Sequence, residues 1–249
     1  MKNYLLLVII YTLFIIGLSA CGNSTSNSKR TDNTIPDEIE KLMELAENGD
    51  AEAQLKIGID YYTGNGCEQN ITEASKWLHK AADQGLPKAQ HNLGFMYTNG
   101  IGVARDYETA ARWYTQAAEQ GYAPSQHNIG YCYLVGQGVE ANHEEGIKWY
   151  AKAYEWVKEE AEKGDPCAQH NLGIYYTLGA GVKKDLCKAA QWWSKSAEQG
   201  YAQAQFDLGN IYRDGIGVEK DNNKARDWYQ KAAEQGYAPA QEALENISK

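Results

Sequence analysis

Basic charge is scarce in this sequence. Its 249 residues carry 24 Lys and Arg against 33 Asp and Glu, a formal net charge of −9, and nothing gathers the basic residues into a patch. That balance suits neither a phosphate backbone nor anionic lipid headgroups, so nucleic acid is not expected as a partner. A phosphate-binding loop is also missing. Five G-x-G pairs occur, yet none is followed by G-K-[ST] or by a third spaced glycine. Local spacing shows no Ser/His/Asp or Cys/His arrangement, and no catalytic residue is assigned. Phe is rare, with 3 residues against 18 Tyr and 7 Trp. Tyr and Trp combine an apolar body with a polar tip, which fits half-buried, repeated interfaces.

The leading apolar run covers residues 4–16, behind Lys2 and ahead of Leu18-Ser19-Ala20-Cys21. A short apolar segment ending in small residues reads as a secretory signal. L-S-A-C also resembles a bacterial lipobox, which implies cleavage after residue 20, a lipid such as palmitate on Cys21, and membrane attachment. An uncleaved membrane anchor is the competing reading. Gly22 after the Cys implies, by the same resemblance, an outer-membrane lipoprotein facing the periplasm. Residues 21–36 then hold the lipidated Cys and a polar tether. Its fifteen residues from 22 to 36 would span roughly 20 Å r.m.s. as a flexible chain.

Behind the tether the sequence repeats itself. The glycine of "AEQG" and its variants recurs as Gly49, Gly85, Gly121, Gly164, Gly200 and Gly236, in steps of 36 residues apart from one of 43. A second column is Gly58, Gly94, Gly130, Gly173 and Gly209, and the G-x-G pairs form a third. Ala89, Leu93 and Tyr97 lie at i, i+4 and i+8, one face of a helix (helix A) that stops at the G-x-G pair. Asn70, Asp106, Asn142, Asp185 and Asp221 are suited to N-cap a second helix (helix B). Helix B carries a small residue and, three positions on, Trp77, Trp113, Trp149, Trp192 or Trp228. Glycine inside a helix costs about 1 kcal/mol against Ala, so the mid-helix column predicts close approach of helices A and B. Such a hairpin cannot bury its apolar face alone and must stack.

The pattern A-x-A-Q-x-x-L-G-x-x-Y, G-x-G-V, Asp or Asn, A-x-x-W-Y and A-A-E-Q-G resembles the Sel-one-like repeat, a relative of the tetratricopeptide repeat. It runs from Ala51 to about Gln241. The resemblance implies an all-α, right-handed α-solenoid over 37–249, with five helix-turn-helix repeats at about 51–86, 87–122, 123–165, 166–201 and 202–237. A single helix is expected at each end, over 37–48 and 238–247. The 43-residue step places seven extra residues in the later half of the third helix B. Seven residues keep the helical phase to about 20°, so the helix should lengthen by about 10 Å and project Tyr154 and Trp156 beyond the stack. Either this ledge binds something, or it is a neutral insertion.

His91, His127 and His170 share a helix-A column. Stacked helices lie about 8–10 Å apart, and zinc–nitrogen bonds are about 2.0–2.1 Å, so the three do not converge on a metal and no cofactor is expected. Besides Cys21 the chain has Cys67, Cys132, Cys167 and Cys187. Cys132 and Cys167 sit in registers about 12 Å apart along their helices, beyond the reach of about 7 Å for a disulfide, and four thiols are expected. Some relatives carry one disulfide per hairpin and are linked to β-lactam binding. Without the regular cysteine pairs, that activity is not expected here.

By analogy with tetratricopeptide arrays, helix A lines a concave face. Leu55, Ile59, Tyr62, His91, Phe95, His127, Tyr131, His170 and Ile174 form a stripe along it that is unusually apolar for exposure. Two readings compete: a groove for a protein or peptide, or a surface buried between neighbouring repeats. The Gln column, Gln54 to Gln241, is expected to satisfy backbone groups at repeat junctions. The functional expectation is a membrane-anchored, non-catalytic scaffold in the bacterial cell envelope that binds a protein or peptide. The alternative is a cell-wall-associated regulator or hydrolase.

Overall fold

The computed structural model describes residues 35–247, and every regular element among them is an α-helix. Cys21, the leader and most of the tether lie outside the described residues. The helices are α1 (Ile35–Glu47), α2 (Ala51–Thr63), α3 (Ile71–Asp83), α4 (Pro87–Asn99), α5 (Tyr107–Glu119), α6 (Ala123–Val135), α7 (His143–Glu162), α8 (Pro166–Leu178), α9 (Leu186–Glu198), α10 (Ala202–Asp214), α11 (Asn222–Glu234) and α12 (Ala238–Ile247). From α2 to α11 they alternate between helix A and helix B, making the five expected hairpins. The single helices α1 and α12 also stand where expected; α1 begins two residues early, at Ile35. The described residues fall into two compact units, one ending at Trp149 and the other beginning at Tyr150.

Each A-to-B turn is closed at both ends by the same chemistry. Gly64, Gly100, Gly136, Gly179 and Gly215 adopt the left-handed C-cap conformation. Asp106 then caps α5, its carboxylate accepting from the N–H groups of Glu108 and Thr109 at 3.0 and 3.1 Å, and its own N–H donates to the Tyr97 carbonyl of α4 at 3.0 Å. Asn70, Asn142, Asp185 and Asp221 repeat both halves of this arrangement. Removing such a cap costs about 1 kcal/mol.

The mid-helix glycines admit a side chain more than a backbone. A Cβ on Gly94 would lie 2.6 Å from the Tyr114 ring of α5, and one on Gly58 would lie 2.8 Å from Leu78 of α3. In four of the five hairpins the residue after the Trp column therefore lies on the glycine: Leu78, Tyr114, Trp193 and Tyr229. The second glycine of the G-x-G pair joins successive hairpins. A Cβ on Gly102 would meet the Ile71 carbonyl of the preceding helix B at 2.8 Å.

The extra heptad appears as a helix of 20 residues, α7, where the regular helices have 13. Its two parts serve different units. Over 143–149 it packs on its own helix A, where a Cβ on Gly146 would lie 2.7 Å from Leu134. Over 150–162 it supports the following hairpin. The Tyr150 ring stacks on Tyr175 at 4.7 Å, and the Tyr154 ring lies 6.3 Å from it. A Cβ on Gly181 would meet Tyr154 at 2.6 Å. The expected ledge is therefore corrected. Tyr154 is buried in the core of the second unit, and Trp156 is half-buried.

Candidate functional site

The helix-A stripe divides by burial. Leu55, Phe95, His170 and Ile174 are buried, and no partner reaches them without repacking. Ile59, Tyr62, His91, His127 and Tyr131 are half-buried on α2, α4 and α6. All five belong to the first unit, which retains the more accessible part of the stripe.

Within that unit, His91 Nδ1 and the Ser125 hydroxyl of α6 are hydrogen-bonded at 2.9 Å. The imidazole also lies between the rings of Tyr114 and Tyr122, with centroids 5.6 and 5.3 Å away. Burial, with a smaller contribution from His127, pushes the His91 pKa down to about 4, so the ring is neutral at physiological pH. Tyr131 is pushed up to about 12, mainly by burial, and stays a phenol. The accessible stripe thus carries no Lys, Arg, Asp or Glu: it is built of an aliphatic group, imidazoles and phenols. It suits apolar and hydrogen-bonding contact.

The second unit treats its histidine differently. His170 Nε2 lies 2.8 Å from Asp207 Oδ2, with the two side chains 1 % and 3 % exposed. Trp193 Nε1 donates to the His170 carbonyl at 3.0 Å, and the Tyr229 hydroxyl donates to Asn210 Oδ1 at 2.7 Å. His170 Nδ1, Asp207 Oδ1 and Asn210 Nδ2 are buried without hydrogen-bond partners. The pair ties α8 to α10 and is closed to any substrate. Asp207 and Asn210 escaped sequence reasoning. The available signal was a break in a column: Asn92, Asn128 and Asn171 give way to Asp207 in the repeat that follows His170.

The Gln column does seal repeat junctions. Gln54, Gln90, Gln126, Gln169 and Gln205 each donate to an alanine carbonyl near the end of the preceding helix B. Four accept in turn from the glutamine of their own "AEQG" or "ADQG" turn: Gln84 to Gln54, Gln120 to Gln90, Gln199 to Gln169 and Gln235 to Gln205, at 2.7–2.8 Å. In the lengthened repeat Lys163 stands in that place and pairs with Glu159 and Glu160. Cys67, Cys132, Cys167 and Cys187 are thiols, and burial pushes Cys132 up to about 12. Among the described residues no cluster of three His, Cys, Asp or Glu could hold a metal, and no helix is long and apolar enough to cross a membrane.

Comparison with known proteins agrees with this geometry. The Sel1 repeat family matches residues 51–86, 87–122, 123–155, 168–201 and 202–237. The chain belongs to the Sel1-repeat family. The unmatched residues between the third and fourth repeats are the end of the lengthened α7, the turn after it and the first two residues of α8. The chain is 34% identical to the Sel1 repeat protein of Oxalobacter formigenes, with a TM-score of 0.59 over 86% of this chain and 88% of that one. It is also 34% identical to c5321, a protective antigen of uropathogenic Escherichia coli displaying an SLR fold. There the TM-score is 0.51, over 84% of this chain and 51% of that one. Over 82 residues it is 37% identical to the secretory immunoglobulin A-binding protein EsiB of E. coli O6:H1, covering 32% of this chain and 14% of EsiB. The chain thus spans about half of one relative and a small part of another. Sel1-repeat proteins are typically non-catalytic scaffolds for protein interaction.

Proposed function

We propose that this protein is a lipid-anchored scaffold of the bacterial envelope that holds a protein or peptide against the helix-A stripe of its first unit. The observation that carries the reading is the half-buried, aromatic-rich set Ile59, Tyr62, His91, His127 and Tyr131, in a chain whose family consists typically of interaction scaffolds. Aromatic side chains that are half-buried and held by a rigid scaffold bind with little loss of side-chain freedom. The relative EsiB is a protein-binding protein by its name. Attachment is read from L-S-A-C and the polar tether behind it, with Cys21 as the acceptor, and Gly22 supports an outer-membrane position facing the periplasm.

The test uses the full chain in its native envelope. Palmitate should label it, Cys21→Ala should abolish the label and release the protein from membranes, and crosslinking should capture a protein through the first unit. Labelling that survives Cys21→Ala would refute the anchor, and absence of any captured protein would refute the scaffold.

A further inference from the structure

The turn between α2 and α3 runs into the helix as Glu68-Gln69-Asn70-Ile71-Thr72. N-x-[ST] without proline at x is the acceptor triplet of N-glycosylation in exported proteins. An acid two residues before the Asn completes the pattern that bacterial oligosaccharyltransferases accept. The sequence holds three such triplets, at Asn23, Asn70 and Asn246, and only Asn70 has Asp or Glu two residues before it. Asn23 lies outside the described residues, and Asn246 stands in the last turn of α12.

The structure leaves the reacting atom free. Asn70 is the N-cap of α3, with extended backbone at φ −141° and ψ 94°. Its N–H donates to the Tyr61 carbonyl at 2.9 Å, and its Oδ1 accepts from the Glu73 N–H at 3.1 Å. The cap therefore uses the oxygen of the carboxamide and not its nitrogen. Glu68, Gln69, Asn70 and Thr72 are all exposed. A sugar on Nδ2 would leave Oδ1 on the cap and extend into solvent, so the fold tolerates it. Capping asks only for an oxygen. Asp106, Asp185 and Asp221 supply it as carboxylates in three of the other hairpins, where negative charge also suits a helix N-terminus. Asn142 is the other amide in the column, and Glu144 follows it by two residues. Only the first hairpin joins a cap amide to a hydroxyl two residues on.

From this juxtaposition we infer that Asn70 is a site of N-glycosylation, which receives an oligosaccharide from a polyprenyl-pyrophosphate carrier through an envelope oligosaccharyltransferase. Asn70 Nδ2 attacks the anomeric carbon of the first sugar. A carbon–nitrogen bond forms there as the bond from that carbon to the pyrophosphate oxygen breaks. The polyprenyl pyrophosphate leaves with the electron pair, one Nδ2 proton passes to a base of the transferase, and nothing is oxidised or reduced. The inference rests on the proposed envelope location, because this transfer takes place outside the cytoplasm. It is independent of the helix-A stripe.

The test is mass spectrometry of the full chain purified from its native envelope, with palmitate labelling followed in the same sample. The tryptic peptide Ile57–Lys76 contains the whole motif and should carry an oligosaccharide on Asn70. Thr72→Ser should keep the glycan, Thr72→Ala should lose it, and Glu68→Gln should reduce it. Asn70→Asp installs the cap residue of three other hairpins, so it should lose the glycan without lowering the melting temperature of the deglycosylated chain. That variant separates modification from folding. A bare Ile57–Lys76 peptide in palmitate-labelled, membrane-bound chain would overturn the inference and leave the anchor standing. A glycan that survives Asn70→Asp, as one on the Thr72 hydroxyl would, also overturns it. An unlabelled chain retained in the cytoplasm would overturn the anchor and this inference together.

Discussion

At the residue scale, one helix-A column solves the same problem in two ways. His91 is held neutral by burial and bonded to Ser125. In the unfolded chain a histidine titrates near 6.5, so between about pH 6.5 and about pH 4 the unfolded state takes up a proton that the folded state refuses. Stability should therefore fall as pH drops through that window and be fully present above it. The fall in melting temperature from pH 7 to pH 4.5 should be smaller in His91→Leu, which installs the residue found at Leu55; an equal fall would refute the assignment. His170 instead meets a buried carboxylate. Asp207→Ala should cost about 1–3 kcal/mol, because it leaves buried His170 without its hydrogen-bond partner. His170→Phe/Asp207→Asn restores residues found elsewhere in the two columns, Phe206 and Asn171, and should lie closer to the parent than either single variant. Urea unfolding of His170→Phe, Asp207→Asn and the double variant gives the coupling, and simple additivity would contradict a specific pair.

At the element scale, glycine and phase decide the outcome. Gly94→Ala would be stabilising in an isolated helix by about 1 kcal/mol. Here the added methyl meets the buried Tyr114 ring at 2.6 Å, so denaturant unfolding should show a net loss of about 1–3 kcal/mol. A gain would mean that the ring moves freely. The glycine columns, caps and repeat boundaries were legible in the sequence because the same constraint is written five times. The direction of Tyr154 was not. Its phase was readable from the Trp149–Trp156 heptad, but not that the later part of α7 would carry the following hairpin under Gly181. Likewise the stripe could be located by column, whereas which members are buried depends on neighbours that the column does not name: Leu55 and Phe95 are covered, Ile59 and Tyr131 only in part. Deleting residues 150–156 keeps helical phase to about 20°. It should leave a helical protein that still melts cooperatively, at a lower temperature because buried Tyr150 and Tyr154 are lost. Deleting only 150–154 rotates the later residues by roughly 140° and should abolish cooperative melting of the second unit. Equal effects of the two deletions, read by circular dichroism and near-ultraviolet melting, would contradict the phase argument.

At the scale of the whole molecule, a chain of Sel1 repeats devotes most of its sequence to stacking and leaves function to what the columns do not use. Of the helix-A stripe, the members that remain half-buried, Ile59, Tyr62, His91, His127 and Tyr131, all lie in the first unit, and the proposed scaffold role rests on them. The most direct measurement is quantitative crosslinking capture from the native envelope by the tethered parent and by His127→Ala/Tyr131→Ala, with the melting temperature of each measured in parallel. Both side chains are half-buried, so the variant should melt within a few degrees of the parent while capturing at least about tenfold less of the partner. Undiminished capture by a variant of unchanged melting temperature would contradict the account.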